Sequence, residues 1–284
     1  MNFKSQKIPS FGVAGNFTGH LEQAGEARDF TNIKTAEANA PKALFPTFLP
    51  ASEKESEEIT PKFLYTFPFD SGKIIFPKGE EKIQIEPECA LLCRLQWDKD
   101  ELTGIFPEAF GASNDCSIRK EGAKKISLKK NWGVSSKGLS DNCIALDSFT
   151  KEGLLNSYRI ASFLVRGETV YDYGEDSAVR DYSYVYEKLT GWILDKLNNQ
   201  KDEGPAENIH QYLLESGKPS EVMVSIGATR YTDFGEHNFL QDGDRAVVVL
   251  YSEKAYSHSQ IAEMVRKQDY SDKSVSVLDQ KIVV

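Results

Sequence analysis

The sequence is poor in cysteine and histidine, with four of each among 284 residues. Its cysteines form no C-x-x-C pair, which disfavours both a zinc cluster and a disulfide framework. Cys89 and Cys93 lie in the apolar run CALLCRL, a setting in which small buried thiols are common. We therefore expect reduced cysteines packed in the core, as in a cytosolic protein.

Long hydrophobic runs are missing as well. The segment Arg245–Tyr251 (RAVVVLY) has the length of a strand and not of a membrane span. The N-terminal residues, MNFKSQKIPSF, lack the apolar stretch and small-residue cleavage site of a secretory signal. These features predict a cytoplasmic protein that does not engage a membrane.

The chain also lacks an excess of positive charge. Its net charge is −9, which argues against a nucleic-acid binder because phosphate neutralisation needs a basic surface. One basic stretch, KEGAKKISLKK, runs from Lys120 to Lys130. The favoured interpretation is a solvated loop. The alternative is a local positive field beside an anionic substrate.

Short apolar segments dominate the chain and predict a β-rich α+β fold. A charged segment at 50–62 is interpreted as a loop, and a segment at 102–110 as a loop or a loop with a short helix. A short helix capped by Thr18 would carry His20. The predicted strands are 73–76, 83–88, 89–95, 160–165, 168–171, 221–226, 245–251 and 274–284. The longer predicted helices are 184–197, 206–215 and 257–267.

The most informative pair of residues is Glu86 and Glu88, on either side of Pro87. Side chains at i and i+2 of a strand leave the same face, so two carboxylates are held close together. A hard divalent cation relieves their repulsion, since oxygen ligands suit Mg²⁺, Mn²⁺ or Ca²⁺. Glu-x-Glu also occurs on solvated strands, so the pair alone does not define a metal site.

Several further motifs follow one another in a particular order. They are NFTGH at Asn16–His20, ALFPT at Ala43–Thr47, IIFP at Ile74–Pro77, the Glu86 and Glu88 pair, DCSIR at Asp115–Arg119, Trp132 with Lys137, SIGAT at Ser225–Thr229, and Gly243 with Asp244. In this order they resemble motifs of the fumarylacetoacetate hydrolase superfamily. The resemblance extends from about residue 11 to residue 251.

The resemblance implies a fold and an assembly. The expected fold is a mixed β-sandwich or β-roll with peripheral helices. A single domain would span 1–284, with a family-like core at about 11–251 and a C-terminal helix and strand extension at 252–284. The expected assembly is a homodimer, and the expected partner is a small anionic molecule.

The resemblance also implies a metal centre. Glu86, Glu88 and Asp115 would bind Mg²⁺ or Mn²⁺, with Ca²⁺ as an option. His20 would be the general base that activates water, and Lys137 would hold a carboxylate or a developing oxyanion.

Three further residues are predicted to contact substrate: Asn16, Arg119 and Thr229. The implied activity is hydrolysis of a carbon–carbon bond, decarboxylation, or a related lyase, hydratase or isomerase step on a small dicarbonyl or oxo-acid. The metal would act as a Lewis acid that stabilises an enolate. The alternative is a non-catalytic pseudo-enzyme of the same fold that binds a small anionic ligand.

The sequence departs from the family pattern at three places. Gln23 stands where several members have a glutamate that pairs with the histidine. No lysine follows the ALFPT motif at the place where the family has one, and Lys120 replaces the last acid of the aspartate motif. The alternatives are that Gln23 orients the His20 ring through its amide oxygen, that Glu22 or Glu26 takes the place of the glutamate, or that no dyad forms. Gln23→Glu is expected to raise turnover.

Overall fold

The computed structural model of the protein describes residues 6–31, 33, 35–51, 60–120 and 123–284. Most of the charged segment at 50–62 lies outside the described residues, as do two positions of the basic stretch. Within the described part of the chain, no helix is both long and apolar enough to span a bilayer.

The described residues form fifteen strands and five α-helices. The strands are β1 (Ser10–Ala14), β2 (Ala43–Phe48), β3 (Phe69–Asp70), β4 (Lys73–Ile75), β5 (Ile83–Gln84), β6 (Pro87–Asp98), β7 (Glu101–Asn114), β8 (Ser117–Ile118), β9 (Lys137–Leu139), β10 (Ile144–Ala145), β11 (Tyr158–Arg166), β12 (Thr169–Ala178), β13 (Glu221–Ser225), β14 (Arg245–Ser252) and β15 (Ser276–Val283). The helices are α1 (His20–Gln23), α2 (Tyr186–Asn199), α3 (Ile209–Glu215), α4 (Asp233–His237) and α5 (His258–Lys267).

Two large mixed sheets enclose the main core. The first has the order β2-β1-β13-β6-β7-β9-β3, with β10 beside β7, and the second has the order β12-β11-β14-β15-β4. Apolar side chains of both sheets pack in one cluster, among them Leu91, Phe110, Ile160 and Leu278. This arrangement of mixed sheets with few helices confirms the predicted β-rich fold class.

The long hairpin of β6 and β7 corrects one prediction. Residues 102–110 are neither a loop nor a helix, because β7 pairs with β6 from Glu101 opposite Asp98 to Asn114 opposite Pro87. Gly104 and Pro107 interrupt the apolar pattern of this segment. Pro107 lies at a register shift of the ladder, where a residue without an amide donor is tolerated in a strand.

The helix predictions are confirmed, with one exception at a cap. Helices α3 and α5 fall inside the predicted ranges, α2 begins two residues later than predicted and ends two residues later, at Asn199, and Ser257 caps α5 through a capping box. Thr18 does not cap α1. That position belongs to Gly19, whose φ of 89° suits glycine and which makes no side-chain cap.

The C-terminal strand β15 lies between β14 and β4 in the second sheet. Within β15, the side-chain oxygen Oε1 of Gln280 accepts a hydrogen bond from Asn114 Nδ2 at 3.0 Å. The side-chain nitrogen Nε2 of Gln280 donates to the backbone carbonyl of Lys137 at 3.3 Å. This strand therefore supports the ends of β7 and β9, where several of the predicted site residues lie.

Cys89, Cys93 and Cys116 are free thiols and are buried as predicted, whereas Cys143 is only partly buried and so departs from the expected packing in the core. Burial raises the pKa of the Cys116 thiol to about 12, so this thiol stays protonated near neutral pH.

Candidate metal centre

Three carboxylates meet where the β6–β7 hairpin opens. Glu86 immediately precedes β6, Glu88 is its second residue, and Asp115 immediately follows β7. The amide of Asp115 donates to the Glu86 carbonyl at 3.0 Å. One oxygen of each of the three carboxylates lies within 4.8 Å of the others, and all three residues are buried. The antiparallel ladder thus brings together the two predicted ligand motifs.

Lys130 lies between two of these carboxylates. Its Nζ is 2.5 Å from Glu86 Oε2 and 2.7 Å from Asp115 Oδ2. It also donates to the Ser117 hydroxyl at 2.6 Å. Lys130 is therefore an ammonium group held by two carboxylates in the interior of the protein.

Lys137 contacts Asp115 from another side. Its Nζ lies 2.6 Å from Asp115 Oδ1 and donates to the carbonyl of Cys116 at 2.7 Å. The side chain is completely buried, and burial lowers its pKa although Asp115 opposes that change. The role of Lys137 in binding a substrate oxyanion stays a prediction, and the described contacts are with the protein itself.

Arg119 links the carboxylate cluster to a fourth acid, Glu26. One guanidinium nitrogen lies 2.8 Å from Glu86 Oε1 and 2.9 Å from Glu26 Oε1. The other nitrogens donate to Gln84 and Tyr231, both at 2.6 Å. Every nitrogen of the guanidinium fork therefore has a partner within the protein.

Glu88 differs from its neighbours because it forms no ion pair with a described cation, and the charge of Lys130, which lowers its pKa, is outweighed by other effects. Its Oε2 accepts a hydrogen bond from the amide of Gly227 at 2.9 Å. Burial, followed by the charges of Asp115 and Glu86, raises the pKa of Glu88 well above its ordinary value. Burial acts on Glu86 in the same direction, but Lys130 and Arg119 hold the pKa of Glu86 well below its ordinary value.

His20 faces the cluster from α1. Its Nε2 is 4.0 Å from Glu86 Oε1, and its Nδ1 is buried with no hydrogen-bond partner in the described part of the chain. Burial lowers the pKa of His20; Glu86 opposes this change, and Arg119 adds to it. The imidazole is therefore neutral near pH 7, with one nitrogen free to accept a proton.

Gln23 does not interact with His20 as interpreted from the sequence. Its Oε1 accepts from the amide of Tyr231 at 2.9 Å, and its Nε2 donates to the Tyr231 carbonyl and to Glu236 at 3.1 Å. Gln23 therefore fastens α1 to the segment around Tyr231, and it forms no described hydrogen bond with the imidazole.

These contacts reverse the expected effect of Gln23→Glu. Glutamate cannot donate to the Tyr231 carbonyl and would lie against the carboxylate of Glu236. We expect a free energy of unfolding lower by about 1–3 kcal/mol and no gain in turnover. Thermal unfolding and initial-rate measurements check this, with Gln23→Met as the uncharged control. A more stable or faster Gln23→Glu protein would contradict the described geometry.

Two predicted substrate ligands are buried. Asn16 donates to the carbonyls of Tyr184 at 3.0 Å and Ile226 at 2.8 Å, and it accepts from the Tyr184 amide at 2.9 Å. These three bonds give a structural reason for an asparagine at this place. Thr229 is also fully buried, and its hydroxyl has no hydrogen-bond partner among the described residues. Their contact with a substrate stays a prediction.

The interpretation of the basic stretch as a solvated loop is wrong at its end. Lys129 and Lys130 are both buried, and Lys129 Nζ lies 3.0 Å from Glu26 and 3.1 Å from Asp29. Sequence reasoning therefore missed Lys130, the cation nearest the carboxylates. The only signal was its position between the aspartate motif and Trp132.

Glu207 is a buried acid that supports the turn containing Lys129, which leads directly into Lys130. The turn Ile126–Lys129 is a short 3-10 helix, and the Ser127 hydroxyl donates to Glu207 Oε1 at 3.0 Å. Burial raises the pKa of Glu207 to about 7, although Ser127 and Lys125 oppose the change. Because this pKa exceeds the ordinary carboxyl value, the folded state loses stability as the pH rises from that value through about 7.

We expect Glu207→Gln to remove this pH-dependent loss of stability. Relative to the unaltered protein, the variant should gain on the order of 1–3 kcal/mol in free energy of unfolding between about pH 5 and about pH 8. Urea denaturation at the two pH values measures the change, with Glu203→Gln as an exposed control. An equal effect of Glu207→Gln at both pH values would contradict the assignment.

Two spaces adjoin the carboxylates. A chamber of about 20 Å³ is lined by His20, Glu86, Glu88 and Lys130, and this volume suits a single water molecule. A wider cleft of about 670 Å³ is lined by Arg119, Lys129 and Gln23, among others. Glu26 borders both spaces, so Glu26 and its two cationic partners separate the cleft from the chamber.

The residues of the cluster fit a divalent cation. Three carboxylates offer an all-oxygen donor set, which hard ions such as Mg²⁺ and Mn²⁺ prefer. Glu88 is a buried acid that forms no ion pair in the described part of the chain. The buried His20 Nδ1 and Thr229 hydroxyl also have no described hydrogen-bond partner.

The fold is that of the fumarylacetoacetate hydrolase superfamily. One solved structure with this fold is a proposed fumarylacetoacetate isomerase/hydrolase from Oleispira antarctica (TM-score 0.52, 13% identity, covering 97% of this chain and 93% of that one). Another is 2-keto-3-deoxy-D-arabinonate dehydratase complexed with magnesium and 2,5-dioxopentanoate (TM-score 0.52, 13% identity, 97% and 72%). A third is Cg1458 with inhibitor (TM-score 0.55, 12% identity, 97% and 76%).

At the level of sequence, the chain belongs to the family described as "Family of unknown function (DUF5718)", whose model matches residues 26–282. No protein with a curated description matches the sequence. The predicted resemblance to the fumarylacetoacetate hydrolase superfamily is therefore confirmed for the fold.

Proposed function

We propose that the protein is a divalent-metal-dependent enzyme that acts on a small dicarbonyl or oxo-acid. The observation that carries this proposal is the convergence of Glu86, Glu88 and Asp115, in which Glu88 forms no ion pair with a described cation and its pKa is raised well above its ordinary value. The dehydratase structure of the same fold, with its magnesium and dicarbonyl ligand, supports the choice of cofactor and substrate class. We propose Mg²⁺ or Mn²⁺ as the ion.

The balance of charge supports an anionic substrate. Four nearly buried carboxylates lie with four nearly buried cationic side chains: Glu26, Glu86, Glu88 and Asp115 with Arg119, Lys129, Lys130 and Lys137. A divalent ion would leave the cluster with excess positive charge. An anionic ligand such as an oxo-acid would offset this excess, because unpaired charge is costly in a buried site.

The residues of the chain suggest a division of roles. A bound divalent ion would supply Lewis-acid stabilisation of negative charge on substrate oxygens, and the three carboxylates would hold that ion. The neutral imidazole of His20 would accept a proton at Nδ1 from water or substrate. Arg119 would remain beside the developing negative charge. Because the chamber holds about one water, its walls would have to move before a substrate could enter.

The test is an assay of acylpyruvates and oxaloacetate with Mn²⁺. We expect His20→Ala to lower kcat by about 100-fold or more while Mn²⁺ affinity, measured by calorimetry, changes by less than about threefold. Undiminished activity in His20→Ala would refute its role as the base. The choice between hydrolysis and decarboxylation follows from the products that are detected.

The pseudo-enzyme is the second candidate, and the small volume of the chamber, about 20 Å³, supports it. So does Gln23, which is committed to Tyr231 and Glu236 instead of His20. A protein that binds Mn²⁺ and a small oxo-acid but turns over no member of the panel would establish this alternative.

We also propose that the chain forms a homodimer, as the superfamily resemblance implies. Light scattering should give twice the chain mass of 31.8 kDa. A single-chain mass across a wide concentration range would count against the dimer.

A further inference from the structure

We propose that Lys130 is a built-in cation that competes with the divalent ion for Glu86 and Asp115. The metal then binds only when this ammonium group withdraws from between them. This inference rests on the proposed metal site and adds a residue that controls its affinity.

The position of Lys130 carries the inference. Its Nζ bridges Glu86 Oε2 and Asp115 Oδ2 at 2.5 and 2.7 Å, and both carboxylates belong to the proposed ligand set. A divalent ion bound by the same carboxylates would lie within a few ångströms of this ammonium. At such a separation in a buried site, like charges repel strongly. The two cations therefore cannot share these oxygens.

The other cationic side chains of the cluster do not bridge Glu86 and Asp115. Lys137 binds the opposite oxygen of Asp115 and the Cys116 carbonyl. Arg119 contacts Glu86 through Oε1 only, on the side of Glu26. Among the described residues, Lys130 alone bridges two of the three carboxylates.

Lys130 already lies beside an aromatic ring in its bridging position. Its Nζ lies 5.3 Å from the centre of the Phe45 ring, whose face attracts a cation. Lys130 also borders the chamber of about 20 Å³ that adjoins the carboxylates. Phe45 belongs to the ALFPT motif, which has no lysine of its own. The displaced ammonium would thus supply positive charge beside an anionic substrate.

Calorimetric titration with Mn²⁺ alone tests the competition. Wild type, Lys130→Met and Lys129→Met are compared after removal of metal. Lys129 is the matched control, because it lies next to Lys130 and is also buried but pairs with Glu26 and Asp29. We expect Lys130→Met to bind Mn²⁺ about tenfold or more tightly than wild type, and Lys129→Met to stay within about threefold.

A second variant covers the case in which Lys130→Met does not fold without metal. Ser117→Ala keeps every charge but removes the hydroxyl that accepts from Lys130. It should loosen the ammonium and tighten Mn²⁺ binding by about two- to threefold. For a folded Lys130→Met protein, Mn²⁺ should raise the melting temperature by more than it does for wild type.

The outcomes separate the two proposals. If wild type binds Mn²⁺ and neither Lys130→Met nor Ser117→Ala binds it more tightly, the competition is refuted and the metal site survives. If none of the proteins binds Mn²⁺, the metal site itself is refuted. If only Lys130→Met binds, the competition is supported, and the metal dependence of the wild-type protein is refuted.

Discussion

Glu88→Gln is expected to abolish Mn²⁺ binding and, in the absence of metal, to raise the stability of the protein. The variant removes a proposed ligand, but it also removes a buried carboxylate that forms no ion pair with a described cation and whose charge Lys130 offsets only in part. We expect a gain of about 1–3 kcal/mol in free energy of unfolding without metal. The gain should be larger at about pH 8 than at about pH 5, because the raised pKa of Glu88 makes ionisation costly in the folded state.

Glu86→Gln provides the matched control with the opposite sign. Glu86 is paired with both Lys130 and Arg119, so its loss leaves buried cations uncompensated. We expect Glu86→Gln to lower the free energy of unfolding by about 3–5 kcal/mol. Urea denaturation in the presence of a chelator measures both variants. Equal destabilisation by the two substitutions would contradict the distinct environments of Glu86 and Glu88.

Arg119→Met is expected to destabilise the protein by about 3–5 kcal/mol, because it removes one partner of buried ion pairs with two acids. Arg119→Lys should destabilise the protein less than Arg119→Met, because lysine keeps the positive charge. It cannot replace the forked guanidinium group that also donates to Gln84 and Tyr231. Denaturant unfolding measures both variants.

The pair of Arg94 and Glu108 supplies a control at the surface. Its nitrogen–oxygen distance is 3.1 Å, but half of the Arg94 side chain is exposed. Arg94→Met should therefore cost less than about 1 kcal/mol. A similarly small cost for Arg119→Met would show that the buried network does not stabilise the fold.

The proposed ligands could be found from sequence because their arrangement is local and their order is distinctive. Glu86 and Glu88 are two residues apart, and Asp115 lies in a motif that resembles one of the superfamily. The reason that they converge was not visible, because it depends on the full length of the β6–β7 hairpin. Gly104 and Pro107 interrupt the sequence pattern of that strand, so its full length follows only from its pairing with β6.

Lys130 could not be found in the same way. Its burial depends on Glu86, 44 positions away, and on Ser117, 13 positions away. In sequence it is one of several lysines in a stretch typical of exposed loops. Glu26 is similar, since its partners Arg119 and Lys129 lie about a hundred positions further along the chain. A charged residue reveals its burial only through such distant partners.

The most direct test of the metal centre is a crystal structure grown with Mn²⁺ and measured at the manganese absorption edge. We expect one anomalous peak per chain, at coordinating distance from Glu86, Glu88 and Asp115, with the ammonium of Lys130 moved away from Glu86. An ordered structure with no peak at these carboxylates, and with Lys130 still bridging Glu86 and Asp115, would contradict the account.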